Sequence, residues 1–281
     1  MSPDQRLPVR RTAKLSIGGQ FPRSESGRTY EVVSADGRFL AHAAQASRKD
    51  LRDAVVAARG ALAGWAARTA YNRGQILYRV AEIMEGRRAQ LEDELRDSGA
   101  ADPANEVSRA IDRWVWYAGW ADKIAQVAGG ANPVAGPYFN FTVPEPTGVV
   151  GIIAPAEPSL LGLVSRIAPA IVSGNVAVAV ASESSPLPAV SLAEALATSD
   201  VPGGVINVLT GSPSELVPWL AAHMDVNAID LTGCPDDLIP EAERAAADNV
   251  KRVHRAGPAE QHLSEITAFL EFKTVWHPMG A

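Results

Sequence analysis

Between Gly148 and His254, short apolar runs alternate with longer helical periods, and this alternation constrains the fold more than any other feature of the chain. The runs are GVVGIIA (148–154), VAVAVA (176–181), VINVL (205–209), AIDLT (228–232) and VKRVH (250–254). Between them, residues 159–172, 187–198, 213–223 and 237–249 have the length and spacing of helices. Strands that are apolar throughout are buried on both faces, and strands joined by helical crossovers run parallel. The pattern predicts an α/β fold built on a doubly wound parallel sheet. Such sheets bind ligands beyond their C-terminal strand ends, so APAEPS, ASESSP, LTGSP and LTGCPDD are the loops that would carry a site.

The first half of the chain has a different texture, and the boundary falls near Gly136. Leu51, Val55, Ala58, Leu62 and Trp65 recur at helical spacing after a capping-box start at Ser47 and Asp50. Further stripes follow at Ile76, Leu77, Val80, Ile83 and Met84, then at Leu91 and Leu95. A last helix is expected from Asn105 to the Gly129–Gly130 stop, with Val107, Ile111, Trp114, Tyr117, Ala118 and Ala121 on one side. The cluster Trp114, Trp116, Tyr117 and Trp120 could stack on bases or sugars. Its helical spacing and mixed neighbouring charges favour a core or subunit contact. Two extended segments, YFNFTVPEP (138–146) and FKTVWHP (272–278), alternate aromatic or β-branched residues with polar ones and end in proline, as projecting or edge strands do.

Composition narrows the function. The net charge of -6 offers no basic excess for nucleic acid or an anionic membrane, so neither is expected as a partner. One cysteine, Cys234, forms no internal disulfide and no multi-thiolate metal site, and the five histidines show no ligand spacing. The start MSPDQRLPVRR has no apolar leader core and no run is long enough to span a bilayer, which reads as a cytoplasmic protein.

The segments KLSIGGQF, SESGRTYEV, EPTGVVGIIAP, IAPAIVSGNVAVAVASE, PGGVINVLTG, MDVNAIDLTG and NVKRV, in that order, resemble the aldehyde dehydrogenase superfamily. AIDRWVWYAGWADK, NPVAGPYFNFTVPEPTGVV and EPSLLGLVS look closest to the second, non-catalytic half of the family-16 aldehyde dehydrogenases. The resemblance implies a Rossmann-like nucleotide-binding-type domain with N-terminal helices over 1–136 and 147–257. It also implies an oligomerisation arm over 137–146 and 266–281. The family's catalytic domain is inserted after the last strand of the sheet; here a short connector, 258–265, stands in its place.

The same resemblance implies that the acyl-transfer machinery is missing, so no catalytic residue and no metal ligand is assigned. The family's nucleophilic cysteine belongs to the absent domain. Cys234 occupies a usual serine position beside a helix expected to start near Pro235, and reads as an inert small residue. The general-base glutamate aligns with Ala256, Glu260 being displaced. The oxyanion asparagine of a Pro-Trp-Asn motif has become Glu157 in Pro155-Ala156-Glu157, a carboxylate that would repel developing negative charge. For the cofactor, the family's Lys-Pro-Ser-Glu reads Val180, Ala181, Ser182, Glu183. Vestigial cofactor positions are Ser182, Glu183, Gly211, Thr232 and Gly233, the two glycines being turn glycines on any reading. Asp236 and Asp237, with Glu157, put like charge where a diphosphate would lie. At about 6 Å and an effective dielectric near 20, each like-charge pair costs roughly 3 kcal/mol, against roughly 0.3–2 kcal/mol from a helix dipole. Alternatively, the two aspartates cap the helix and occupy its N-terminus themselves. Either way no cofactor is expected to bind tightly, with NAD(P) retained only weakly.

Three functions remain open at this stage. The first is a non-catalytic subunit that forms a homo-oligomer or a hetero-oligomer with a full-length aldehyde dehydrogenase. The second is an NAD(P)-dependent aldehyde oxidoreductase that acts only with a partner chain. The third is a nucleotide-binding regulator.

Overall fold

The computed structural model describes residues 9–279. The first eight residues of the leader reading, and Gly280 and Ala281 of the arm reading, lie outside the described residues. The chain opens with three strands, β1 (Thr12–Ala13), β2 (Thr29–Val33) and β3 (Phe39–Ala44), in the order β1-β3-β2. Five helices follow: α1 (Arg48–Ala66), α2 (Ala70–Gly86), α3 (Arg88–Asp97), α4 (Pro103–Ala118) and α5 (Ile124–Ala128). After β4 (Tyr138–Pro146) come β5 (Val149–Ile153), α6 (Ser159–Val172), β6 (Val176–Val180), α7 (Leu187–Ala197) and β7 (Ile206–Leu209). The chain continues through α8 (Pro213–Ala222), β8 (Ala228–Asp230), α9 (Ile239–Ala247), β9 (Arg252–His254), α10 (Leu263–Thr267) and β10 (Leu270–Pro278).

The five apolar runs form one parallel sheet in the order β7-β6-β5-β8-β9. Every residue of β5, β6 and β7 is buried, as strands covered on both faces require. Helices α6 and α7 pack against α2, α3 and α4 on one face, whereas α1 lies on β5, β6 and β7 beside α8. Ser47 caps α1 and Asp50 closes the capping box, as the sequence predicts. Trp65 ends the buried stripe of α1, and its indole N–H donates to the Ile171 carbonyl of α6 at 2.9 Å. Trp114 and Tyr117 are fully buried core residues, while Trp116 packs on Trp120 with ring centroids 5.6 Å apart.

Several boundaries differ from the expectation. The helix expected from Asn105 to Gly129 starts at Pro103, with Asp102 accepting from the Asn105 N–H at 3.1 Å, and stops at Ala118. Gly119 ends it, and Lys123 Nζ turns back to donate to the Gly119 carbonyl at 2.6 Å, so α5 is a separate short helix. The last strand is shorter than VKRVH because Val250 has a φ of 57°, outside the extended region. β1, β2 and β3 have no counterpart in the periodicity reading. They pack on Leu187 and Val190 of α7, while Ser16, just after β1, pairs with Val208 through two backbone hydrogen bonds of 2.9 Å and covers the otherwise open edge of β7.

The two extended segments pair with each other. β4 and β10 run antiparallel over nine residue pairs, from Leu270↔Pro146 to Pro278↔Tyr138. The connector between β9 and β10, expected to lack structure, contains α10.

Candidate functional site

The C-terminal strand ends place the five candidate residues on three successive loops. Ser182 follows β6 and uses its hydroxyl on the Ser185 N–H at 3.2 Å, so it organises the loop into α7. Glu183 is exposed and accepts from Ser212 Oγ at 3.2 Å, joining the β6 and β7 loops. Gly211 has a φ of 139°, and a Cβ there would sit 3.1 Å from the Ala46 nitrogen. Thr232 accepts from the Ala256 N–H at 3.1 Å through Oγ1. Gly233 donates to the Ile153 carbonyl at 2.9 Å, and a Cβ at this position would overlap the Ala154 carbonyl. Each therefore has a local structural task. A cavity of about 340 Å³ beside Glu157 and Pro158 is lined by none of the five.

The positions matched to acyl chemistry are equally placed. Cys234 is buried, and its thiol is pushed up to about 11 by burial and then by Asp237 and Asp236, with Arg255 opposing. A thiol held there stays protonated at neutral pH and is a poor nucleophile. The expected helix start at Pro235 and its capping by Asp236 or Asp237 are both corrected. α9 begins at Ile239, its cap residue Leu238 has no side-chain hydrogen bond, and both aspartates lie exposed in the preceding turn. Pro235 provides the reason, because its carbonyl closes that turn by accepting from the Leu238 N–H at 3.0 Å.

A buried charge cluster lies close by, where the sheet changes winding direction between β5 and β8. Arg166, from the middle of α6, is fully buried; its Nη1 donates to Glu265 of α10 and stands 3.7 Å from Asp230 Oδ2 at the end of β8. His254 Nε2, at the end of β9, is 2.8 Å from the same Glu265 oxygen. Arg113 of α4 donates to Ser165 Oγ at 2.5 Å and to the connector: the Ala259 carbonyl at 3.1 Å, the Glu260 carbonyl at 2.7 Å and Gln261 Oε1 at 2.8 Å.

The cluster fixes a pH dependence. Burial lowers the His254 pKa, but the Glu265 hydrogen bond and the charges of Asp230 and Glu265 outweigh it, leaving the imidazole above its ordinary 6.5. Burial likewise raises Glu265, yet His254 and Arg166 bring it below 4.5. The His254 contribution to stability is therefore complete below pH 6.5 and is lost as pH rises through the raised folded value. The Glu265 contribution is complete above pH 4.5 and is lost as pH falls through the lowered value. Asp230, raised chiefly by burial, has the opposite sign on the acid side, so the alkaline limb is the cleaner test. Denaturant titrations across pH 6 to 9 are expected to show the wild type weakening with rising pH and His254→Gln lacking that decline; parallel curves would refute the assignment.

Periodicity assigned none of Arg113, Arg166, Asp230, His254 or Glu265 to a site. A signal was available in two of them. Arg166 is the one charged residue in the apolar stretch of α6, and Asp230 interrupts an apolar strand run. Among the described residues no cluster of three or more His, Cys, Asp or Glu side chains could hold a metal ion, and no helix is long and apolar enough to cross a membrane.

Comparison with known proteins accords with this architecture. Residues 21–262 match the model of the aldehyde dehydrogenase family. The chain is similar to the cytosolic 10-formyltetrahydrofolate dehydrogenase of Pongo abelii, with 34% identity over 256 residues covering 87% of this chain and 28% of that protein. It is also similar to retinal dehydrogenase 2 of Homo sapiens, with 35% identity over 262 residues covering 90% of this chain and 49% of that one. Among solved structures, HpcC from Thermus thermophilus superposes with a TM-score of 0.83 at 32% identity, covering 88% of this chain and 48% of that chain. The NAD+ complex of an aldehyde dehydrogenase from Bacillus cereus gives 0.79 at 26%, covering 87% and 50%. The chain thus spans half or less of the length of the relatives named here. With a family match over most of its residues and the parallel sheet and flanking helices of those structures, this chain belongs to the aldehyde dehydrogenase family.

Proposed function

We propose that this chain is a non-catalytic, cytoplasmic member of the family that acts as a subunit, assembling through the β4–β10 ribbon with itself or with an active aldehyde dehydrogenase. The observation that carries the reading is the ribbon itself. Tyr138, Phe139, Phe272 and Trp276 are each about half exposed on it, and Val143 and Val275 add apolar surface beside them. A two-stranded ribbon is marginal alone in water, and an aromatic patch of this kind marks an interaction surface. Catalysis is disfavoured by the protonated, buried thiol of Cys234, by Ala256 at the base position and by Glu157 at the oxyanion position.

Tight NAD(P) binding is disfavoured by the chemistry of the helix starts along the same edge. The Leu160 and Leu161 N–H groups at the start of α6 already donate to Glu106 at 2.9 and 3.2 Å. Glu215 lies in the first turn of α8. Asp236 and Asp237 precede α9, whose first turn contains Pro240 and Glu241. A diphosphate needs free N–H donors and positive potential, and these residues offer carboxylates instead. Val180, where the family's lysine would reach the ribose, is buried and apolar.

Native mass spectrometry of the purified chain, alone and with a full-length aldehyde dehydrogenase, tests the proposal. A homo-oligomer or a mixed complex is expected, and Phe272→Glu with Trp276→Glu should weaken it by about 100-fold without changing the circular dichroism. A strictly monomeric protein that ignores the active enzyme would overturn the reading. So would aldehyde-dependent NADH production by the pure chain that is abolished in Cys234→Ala.

A further inference from the structure

The connector between β9 and β10 is held in an unusual way. Apart from Gln261 and Glu265, the polar groups it offers to two buried guanidinium groups from elsewhere in the fold are backbone carbonyls. Arg113 takes the Ala259 and Glu260 carbonyls, while Arg166 Nη2 takes the Glu260 carbonyl at 3.3 Å. Glu265 then inserts its carboxylate so that one oxygen meets both Arg166 and His254. Arg113 is only 2% exposed and, among the described residues, forms no ion pair. Arg166 Nε is buried without a partner, so the cradle holds more donors than the connector fills. Without Glu265, Arg166 would face only Asp230, at 3.7 Å, with the buried charge of Arg113 still unpaired, and a buried excess charge of that kind demands a counter-ion.

We propose that the crevice formed by Arg166 and His254 at the C-terminal ends of β8 and β9, braced by Arg113 through the connector carbonyls, is a monocarboxylate-binding site, and that Glu265 occupies it as an internal ligand. Its place at the switch point of a doubly wound sheet is where such folds accept ligands. The size of the ligand follows from what Glu265→Ala vacates, a carboxylate and one methylene group. Phe269, fully buried, limits the space on one side, its ring packing edge-on to His254 at 5.3 Å. The site therefore suits formate or acetate. In the wild type the tethered carboxylate outcompetes them, because a short tether holds its group at an effective concentration on the order of millimolar or higher.

Thermal unfolding of Glu265→Ala and Glu265→Gln at pH 6, with sodium formate, sodium acetate or sodium chloride at equal ionic strength, tests the proposal. Glu265→Ala is expected to melt about 10 °C below the wild type in chloride. About 50 mM formate or acetate should restore at least half of that loss, the free anion replacing the tethered one. Glu265→Gln, whose amide fills the space, should melt low and ignore the anion, and the wild type should not move. A natively folded Glu265→Ala that responds to formate no more than to chloride overturns the proposal, as does an equal response from Glu265→Gln. If Glu265→Ala is isolated unfolded, recovery on dilution from urea into formate supports the site, and failure to recover there overturns it.

Discussion

Replacing Arg166 with methionine is expected to lower the unfolding free energy by about 3–5 kcal/mol, because two carboxylates lose the charge that justifies their burial. Asp230 is fully buried and Glu265 nearly so, and Asp230 Oδ2 has no hydrogen-bond partner even in the intact protein. Methionine restores much of the volume but none of the donors, so the cost is electrostatic rather than a matter of packing. The midpoint of urea unfolding measures the loss. Adding Asp230→Asn and Glu265→Gln should recover most of it, since a wholly neutral cluster is often as stable as a complete ionic one. A single variant within about 1 kcal/mol of the wild type would show that water reaches the cluster and that it is not a buried network.

The second large effect is expected at Trp65. Trp65→Ala removes a side chain that is 1% exposed and bridges α1 to α6, so it should cost about 3–5 kcal/mol from lost burial and the cavity left behind. Trp65→Phe isolates one part of that loss. It keeps an aromatic ring but leaves the Ile171 carbonyl without its donor, and should cost about 1–3 kcal/mol. Equilibrium unfolding of the two variants distinguishes them; a phenylalanine variant as damaged as the alanine one would place the importance on the hydrogen bond.

These two residues show what the sequence makes legible. Trp65 ends a stripe that runs through Leu51, Val55 and Ala58, and helical periodicity alone marks that face as core. The sheet is legible for the same reason, because β5, β6 and β7 are apolar at almost every position and buried at all of them. Arg166 is not legible by that route. Its partners arrive from β8, α10 and the connector, brought together by topology rather than spacing, so a lone charge in an apolar helix marks Arg166 but not the groups that meet it. β1, β2 and β3 are missed for a related reason: TYEVV and FLAHAA lie among polar and glycine-rich turns and acquire strand character by pairing with each other and packing on Leu187 and Val190 of α7. The start of α9 is misread because Pro235 and its neighbours resemble a capped helix while forming a separate turn.

The ribbon has a consequence for how the protein is made. β4 leaves the ribosome well before β10, and the whole five-stranded sheet must be synthesised between them. Until β10 emerges, Phe139, Phe141 and Val143 have no strand to lie against, and the loop that must close is one of the longest in the chain. The assembly surface proposed above is thus incomplete until translation has passed β10. A nascent or prematurely terminated chain that has built its sheet still lacks the paired ribbon.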